Sequence, residues 1–243
     1  MGQWQLIVAF DKCCVLNIGK VDNNCTNFSI DSGTLPIVKQ CRDLGVTVSH
    51  DLKPTEHINS IIIKANQRAH SIHRCFVSRD VQLLLRAYTV YVRPLLEFNS
   101  VVWSPSLKKD IEAIERVQRT FTKRLPGLRN CSYSERLALL NISSLELRRL
   151  YFDLEWCYKF VFGLVCMPTD QKMFELRLSS NTRGHMYKLY KKRNRNSIRS
   201  AFFTERVINV WNSLPGDTVD FSSITAFKRT IELVNHSAFL TCF

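Results

Sequence analysis

The chain has 243 residues, 45% of them hydrophobic and 11% aromatic, which excludes a disordered or collagen-like chain and allows a sizeable core. Its longest apolar runs, such as 61–63 and 161–165, fall far short of the roughly 20 residues that span a bilayer, and the first residues lack the basic start and cleavage site of a secretory leader. With 34 Lys and Arg against 21 Asp and Glu the net charge is +13, so polyanions are natural partners, although a merely solvated basic surface satisfies the same count.

Residues 1–49 read as short β structure. Positions 13–18 alternate, Val38 and Leu44 bracket a polar turn at 40–43, and 44–48 are rich in β-branched residues; the polar stretch 21–32 reads as a loop or irregular hairpin. After Pro54 the period changes to 3.6. A first helix should start at Pro54-Thr55-Glu56-His57 and run to about Phe76. A second, 81–98, carries Leu84, Leu85, Tyr88, Tyr91 and Val92 on one side and should be kinked or closed by Pro94, leaving 99–106 as a packed connection. The third, 107–125, sets Ile111, Ile114, Val117, Phe121 and Leu125 along one stripe with Lys108, Arg116, Arg119 and Lys123 opposite, and Pro126-Gly127 ends it.

Ser132 and Glu135 form the pattern of a capping box for a short helix at 133–140, and Ser144 caps a longer one through 165, stopped by Pro168. Composition then shifts. Arg177, Arg183, Lys188, Lys191, Lys192, Arg193, Arg195 and Arg199 occur without an intervening Asp or Glu. Two final helices are expected at 201–213 and 223–238, separated by Leu214-Pro215-Gly216.

Phosphodiester synthesis by two metal ions needs closely paired carboxylates, and no two acidic residues are adjacent anywhere in the chain. A Gly-rich phosphate loop, a Gly-x-Ser-x-Gly elbow and a Cys-x-x-Cys pair are absent as well. His70, His73 and Cys75 supply too few ligands at metal spacing and read as surface or satisfied core residues, so no metal or other cofactor is expected in this chain. The nine cysteines are an odd number, and Cys75, Cys157 and Cys166 fall in apolar helical patterns, which suits free thiols and a reducing, intracellular compartment, nuclear or cytoplasmic. Nucleic-acid contact has more support. Lys188, Lys191, Lys192, Arg193, Arg195 and Arg199 are interleaved with Tyr187, Tyr190, Asn194 and Asn196, setting phosphate-neutralising charge beside rings that stack on bases. A solvated loop or an import signal accounts for the same run, and the Arg116, Arg119, Lys123 face is the weaker candidate.

Several segments together resemble the reverse transcriptases of LINE-type (non-LTR) retrotransposons, on the jockey-like branch. Trp4-Gln5-Leu6 with Lys12-Cys13-Cys14-Val15-Leu16 is similar to the palm after the family's Ala-Asp-Asp turn. Asp43-Leu44-Gly45-Val46-Thr47-Val48 resembles the strand leading into the thumb, and Tyr91-Val92-Arg93-Pro94-Leu95-Leu96-Glu97-Phe98 with Val102-Trp103-Ser104-Pro105 resembles a thumb signature. Ile114-Glu115-Arg116-Val117-Gln118-Arg119, Tyr133-x-Glu135-Arg136-Leu137, Ser144-Leu145-Glu146-x-Arg148-Arg149 and Trp211-Asn212-Ser213-Leu214-Pro215 continue it in family order. The resemblance implies an α+β, mainly α fold: a short antiparallel sheet fragment as palm remnant (1–52, with a primer-grip-like hairpin at Leu44 and Gly45), a multi-helix thumb-like bundle (53–168) and a basic C-terminal extension with two helices (169–243). It implies an RNA-directed DNA polymerase family whose catalytic carboxylates, and the Mg²⁺ they hold, belong to a palm expected before Met1. The chain is therefore expected to be no enzyme by itself and at most to bind template RNA or an RNA/DNA hybrid, with no membrane partner and with a complementing polymerase fragment as the source of any activity. A domesticated helical interaction module, or a non-functional relic, is the alternative.

Overall fold

The computed structural model describes residues 9–19, 28–30, 33–165, 172–177, 184–193 and 197–242. The chain divides into two compact units, 1–57 and 58–243. Its class is α+β and mainly α, with ten helices and three two-stranded ladders among the described residues.

In the first unit β1 (Val15–Leu16) pairs in parallel with β4 (Ile37–Val38), while β2 (Ser29–Ile30) and β3 (Gly33–Thr34) pair antiparallel. The third ladder corrects the sequence reading. Residues 40–43 are not a turn but strand β5 (Gln40–Asp43), which pairs antiparallel with β6 (Val46–Ser49), Asp43 opposite Val46. The turn lies at Leu44 and Gly45, with φ of 44° and 90°. Two consecutive positive φ values make the two-residue loop whose twist matches the flanking strands, which is why the hairpin closes there and not four residues earlier. Gly45 adopts that region freely; Leu44 does so at a cost of about 1–2 kcal/mol. After β6 the Asp51 carboxylate accepts from the Ser49 hydroxyl (2.7 Å) and the Lys53 amide (3.1 Å), and these bonds hold it well below the usual carboxylate range. His57 Nδ1 accepts from the Thr47 amide (3.2 Å), tying the start of the next helix to β6.

That helix, α1 (Thr55–Cys75), buries Ile58, Ile61, Ala65, Ala69 and Ile72 at spacings of three and four, the stripe that a 3.6-residue period dictates. Asp80 caps α2 (Val81–Tyr91) by accepting from Leu83 N–H (2.7 Å). The single helix expected over 81–98 is broken: α3 (Arg93–Glu97) follows with Pro94 in its first turn, where a missing N–H costs nothing. The stretch 99–106, expected as a connection, contains α4 (Ser100–Trp103), because Asn99 takes the left-handed conformation and restarts the helix.

On α5 (Lys108–Lys123) Ile111, Ile114, Val117 and Phe121 are all buried, with Leu125 just beyond. Phe121 lies between the rings of Tyr88 (4.7 Å) and His73 (4.6 Å), which joins α5 to α2 and α1. Polar groups are buried on the same helix. Gln118 accepts from Tyr88 Oη (3.1 Å) and donates to Tyr133 Oη and Ser143 O (both 3.0 Å). The Glu115 carboxylate accepts from Tyr133 Oη and from the amides of Leu145 and Glu146 (both 3.2 Å). It thus serves as a remote cap for α7 (Leu145–Val161), whose next amide, Leu147 N–H, is taken by the Ser144 hydroxyl (3.2 Å). Burial raises the Glu115 carboxyl above its ordinary range despite these bonds.

The capping box of Ser132 and Glu135 opens α6 (Tyr133–Leu140) as the sequence predicts. Helix α7 stops at Val161 and not near 165: Gly163 is left-handed (φ 67°) and Leu164 N–H bonds back to Lys159 O (2.8 Å), so a glycine cap ends it before Pro168 is reached. The last helices are α8 (Ser197–Ala201), α9 (Phe203–Ser213) and α10 (Ile224–Ile231). The final one is shorter than expected because His236 Nε2 donates to the carbonyl of Ile231 (3.0 Å), closing the helix there. Leu154, Cys157 and Tyr158 of α7 share one core with Leu189, Val207, Trp211, Phe227 and Ile231, so the described part of 169–243 packs on the same core as α7. Cys157 is fully buried, whereas Cys75 is exposed at the end of α1 and not in an apolar face; Cys166 lies outside the described residues. Among the described residues no helix is long and apolar enough to cross a membrane.

Candidate nucleic-acid interface

The basic run enters as an extended segment. Leu176 and Leu189 form an antiparallel bridge, with Arg177 N–H bonded to Lys188 O and Tyr190 N–H to Glu175 O, both at 2.8 Å. Two side chains of α9 hold the other side of this segment. The Trp211 indole donates to Tyr187 O (2.7 Å), and Asn212 both accepts from Leu189 N–H (2.8 Å) and donates to Leu189 O (2.9 Å). A side-chain amide thereby replaces a neighbouring strand, satisfying the donor and the acceptor of a buried residue. Leu189 points into the core at 2% exposure while the four residues after it, Tyr190, Lys191, Lys192 and Arg193, are exposed, so one anchor turns inward and the charge that follows it lies at the surface.

The fold brings acids to a run that lacks them in sequence. Lys192 pairs with Glu175 (2.7 Å), Lys191 donates to Asn209 Oδ1 (2.9 Å), and Arg199, on α8, lies 3.9 Å from Glu205 and over the Phe202 ring. Arg195, Asn194 and Asn196 lie outside the described residues. Lys192, Arg199 and Tyr190 line a cavity of about 320 Å³ together with Glu175, Glu205 and Phe174. Lys188 faces a wider one of about 980 Å³ with Arg177, His185, Tyr187, Asp217, Asp220 and Phe221. Its two walls meet at glycines: a Cβ on Gly216 would stand 3.1 Å from the His185 backbone, and Gly184 has a φ of 107°. His185 Nε2 donates to Trp211 O (2.9 Å), which leaves Nδ1 as a bare acceptor, and burial lowers the pKa of its ring.

Arg116, Arg119 and Lys123 are exposed along the outer face of α5, as the helical spacing predicts, and line neither cavity. Arg119 sits over the Tyr133 ring (5.0 Å), so part of this stripe also packs. Leu44, 85% exposed, and Gly45 form the hairpin tip of the first unit. His70, His73 and Cys75 separate: His73 stacks on Phe121 while the other two are exposed. Among the described residues no group of three or more His, Cys, Asp or Glu side chains is placed to hold a metal ion.

Composition and spacing identify the cations and not what holds them. Trp211 and Asn212 stand out in the sequence only as part of a family-like string, and Glu175, Glu205 and Asn209 not at all. The bond from Asn212 to Leu189 spans 23 positions, so no local pattern announces it. No family model matches the chain. An uncharacterized protein of Caenorhabditis elegans is 30% identical to it over 135 residues, which make up 54% of this chain and 68% of that protein. No solved structure matches.

Proposed function

We propose that this chain, which belongs to the same family as that Caenorhabditis elegans protein, binds template RNA or an RNA/DNA hybrid as the palm-end, thumb and C-terminal part of a LINE-type reverse transcriptase would, and polymerises nothing by itself. One observation carries the reading: Trp211 and Asn212 of α9 fix an extended segment whose Tyr190, Lys191, Lys192 and Arg193 face solvent. A merely solvated loop has no need of a buried Trp211 and a half-buried Asn212 to fix its backbone. Fixed cations beside a half-exposed ring are what sequence-independent contact with a phosphate backbone uses. The sequence has no adjacent pair of acids of the kind the family's Ala-Asp-Asp turn uses to hold two metal ions, which supports the second half, and the Mg²⁺ of the family would belong to a complementing palm. The exposed hairpin tip at Leu44 and Gly45 is consistent with a minor primer contact. The compartment implied is intracellular, nuclear or cytoplasmic.

The test is RNA retardation at rising salt together with primer extension in Mg²⁺ or Mn²⁺. Binding that weakens steeply with salt and no extension is the expected pair of results. Extension by the purified chain, or no binding even at low salt, would overturn one half or the other.

A second reading has its own observation. Leu83, Val90, Tyr91, Phe98 and Val102 on α2 to α4 and their connections are exposed, which suits a helical interaction module whose basic run is only a localisation signal. Charge reversal at Lys191, Lys192 and Arg193 separates the two: the first expects lost RNA affinity in vitro, the second only altered distribution in cells.

A further inference from the structure

The small cavity beside the basic segment holds a feature that phosphate contact does not use. Glu205, the third residue of α9, is 6% exposed, and its Oε2 is buried without a hydrogen-bond partner. The nearest cation, Arg199 Nε, stands 3.9 Å from Oε1, longer than an N–H···O bond. An acid near a helix start is ordinary. A buried carboxylate oxygen without a hydrogen-bond donor is not, because an unsatisfied buried polar atom is costly. That oxygen calls for an N–H donor, and Glu205 lines a cavity of about 320 Å³ whose walls include the rings of Tyr190 and Phe174 and the side chains of Lys192 and Arg199. Tyr190 is half-exposed and free to stack.

We infer that this cavity takes a guanine base of the bound strand, with Glu205 accepting from its edge, Tyr190 stacking on its face and Lys192 and Arg199 meeting the flanking phosphate. The inference rests on the nucleic-acid reading above and adds base selectivity to it. Guanine carries two N–H groups side by side on its pairing edge, N1–H and the N2 amino group, which match the two oxygens of one carboxylate. Adenine and cytosine place an acceptor beside their amino group, and uracil flanks its one N–H with carbonyls, so each of these meets the carboxylate with a lone pair as well as a donor.

The experiment measures affinity of the full chain for single-stranded uridine-rich octamers that differ in one central base: guanine, inosine, which lacks only the N2 amino group, or adenine. The guanine strand is expected to bind at least about fivefold more tightly than the inosine strand, with adenine weaker still. Glu205→Gln should erase the preference while leaving salt-sensitive binding, and because inosine alters only the ligand the result stands even if that variant folds poorly. Equal affinity for all three strands overturns the guanine assignment and leaves the RNA reading intact; no binding of any strand at low salt overturns both. Guanosine 5′-monophosphate should fail to displace the strand at matched concentration, and displacement would overturn the assignment to a polynucleotide.

Discussion

Two basic regions of this protein look alike in sequence and differ in construction. On α5, Arg116, Arg119 and Lys123 follow helical spacing, and they owe their positions to the buried opposite face of that helix. Over 187–199 the charge is denser in sequence, yet the fold answers it with Glu175, Glu205 and Asn209 and holds the backbone of Tyr187 and Leu189 through Trp211 and Asn212. A run of cations in sequence is therefore no measure of net surface charge. The stripe is the outside of a helix that forms for other reasons, while the run is an arrangement that a second helix has to hold in place.

The comparison breaks most severely from the inside of α5. Glu115→Ala leaves the Leu145 and Glu146 amides without their acceptor and deprives the buried Arg149, whose terminal nitrogens have no hydrogen-bond partner, of a nearby negative charge. A loss of about 3–5 kcal/mol is expected by urea denaturation, the range for breaking a buried charge network. A loss under about 1 kcal/mol would show that Glu115 is not what joins α5 to α7. Asn212→Ala acts on the other region, leaving Leu189 N–H and C=O unpaired, and should cost about 2 kcal/mol together with RNA affinity. Unchanged RNA affinity in a folded Asn212→Ala chain would mean that the fixed geometry is irrelevant to binding.

Protonation sharpens the contrast more gently. Burial lowers His185 beside the basic segment and His236 at the end of α10. Both should titrate below the ordinary histidine value of about 6.5 in an imidazole NMR titration. A histidine lowered by folding contributes stability that is complete above its unfolded pKa and lost as pH falls through the folded one. Glu115 and Asp153, raised by burial, act in the opposite sense, since the folded state holds their protons more tightly. The ring titrations therefore test the histidines more cleanly than a melting curve does. The smallest effect belongs to the first unit. Leu44→Asn should stabilise the hairpin by up to about 1 kcal/mol, because Asn tolerates the left-handed turn that Leu enters under strain. No gain in thermal stability would argue against that strain.

Local signals are the legible part of the fold. The Ser132 and Glu135 box, the Ser144 cap and the stripe of α5 each involve neighbours one to four positions apart, and the structure has all three. Where two signals compete, the more conspicuous one misleads: Pro168 reads as the stop of α7 though Gly163 already ends it, and the polar character of 40–43 hides a strand whose turn lies at Leu44 and Gly45. In the candidate site the exposed cations are visible by composition. Their partners are not, because Asn212, Glu175 and Glu205 reach them through tertiary structure, from positions outside the run, and a polar side chain that serves such a contact has no periodicity of its own.

The most direct test of the nucleic-acid reading is the salt dependence of RNA binding by the chain and by its Lys191→Glu, Lys192→Glu, Arg193→Glu variant. A sharply weakened variant is the predicted result, with the slope of log affinity against log salt shallower by about 2, because three phosphates go without a neutralising cation and each accounts for about 0.7 of the slope on a single strand. Equal affinity and equal slope for the two chains would contradict it.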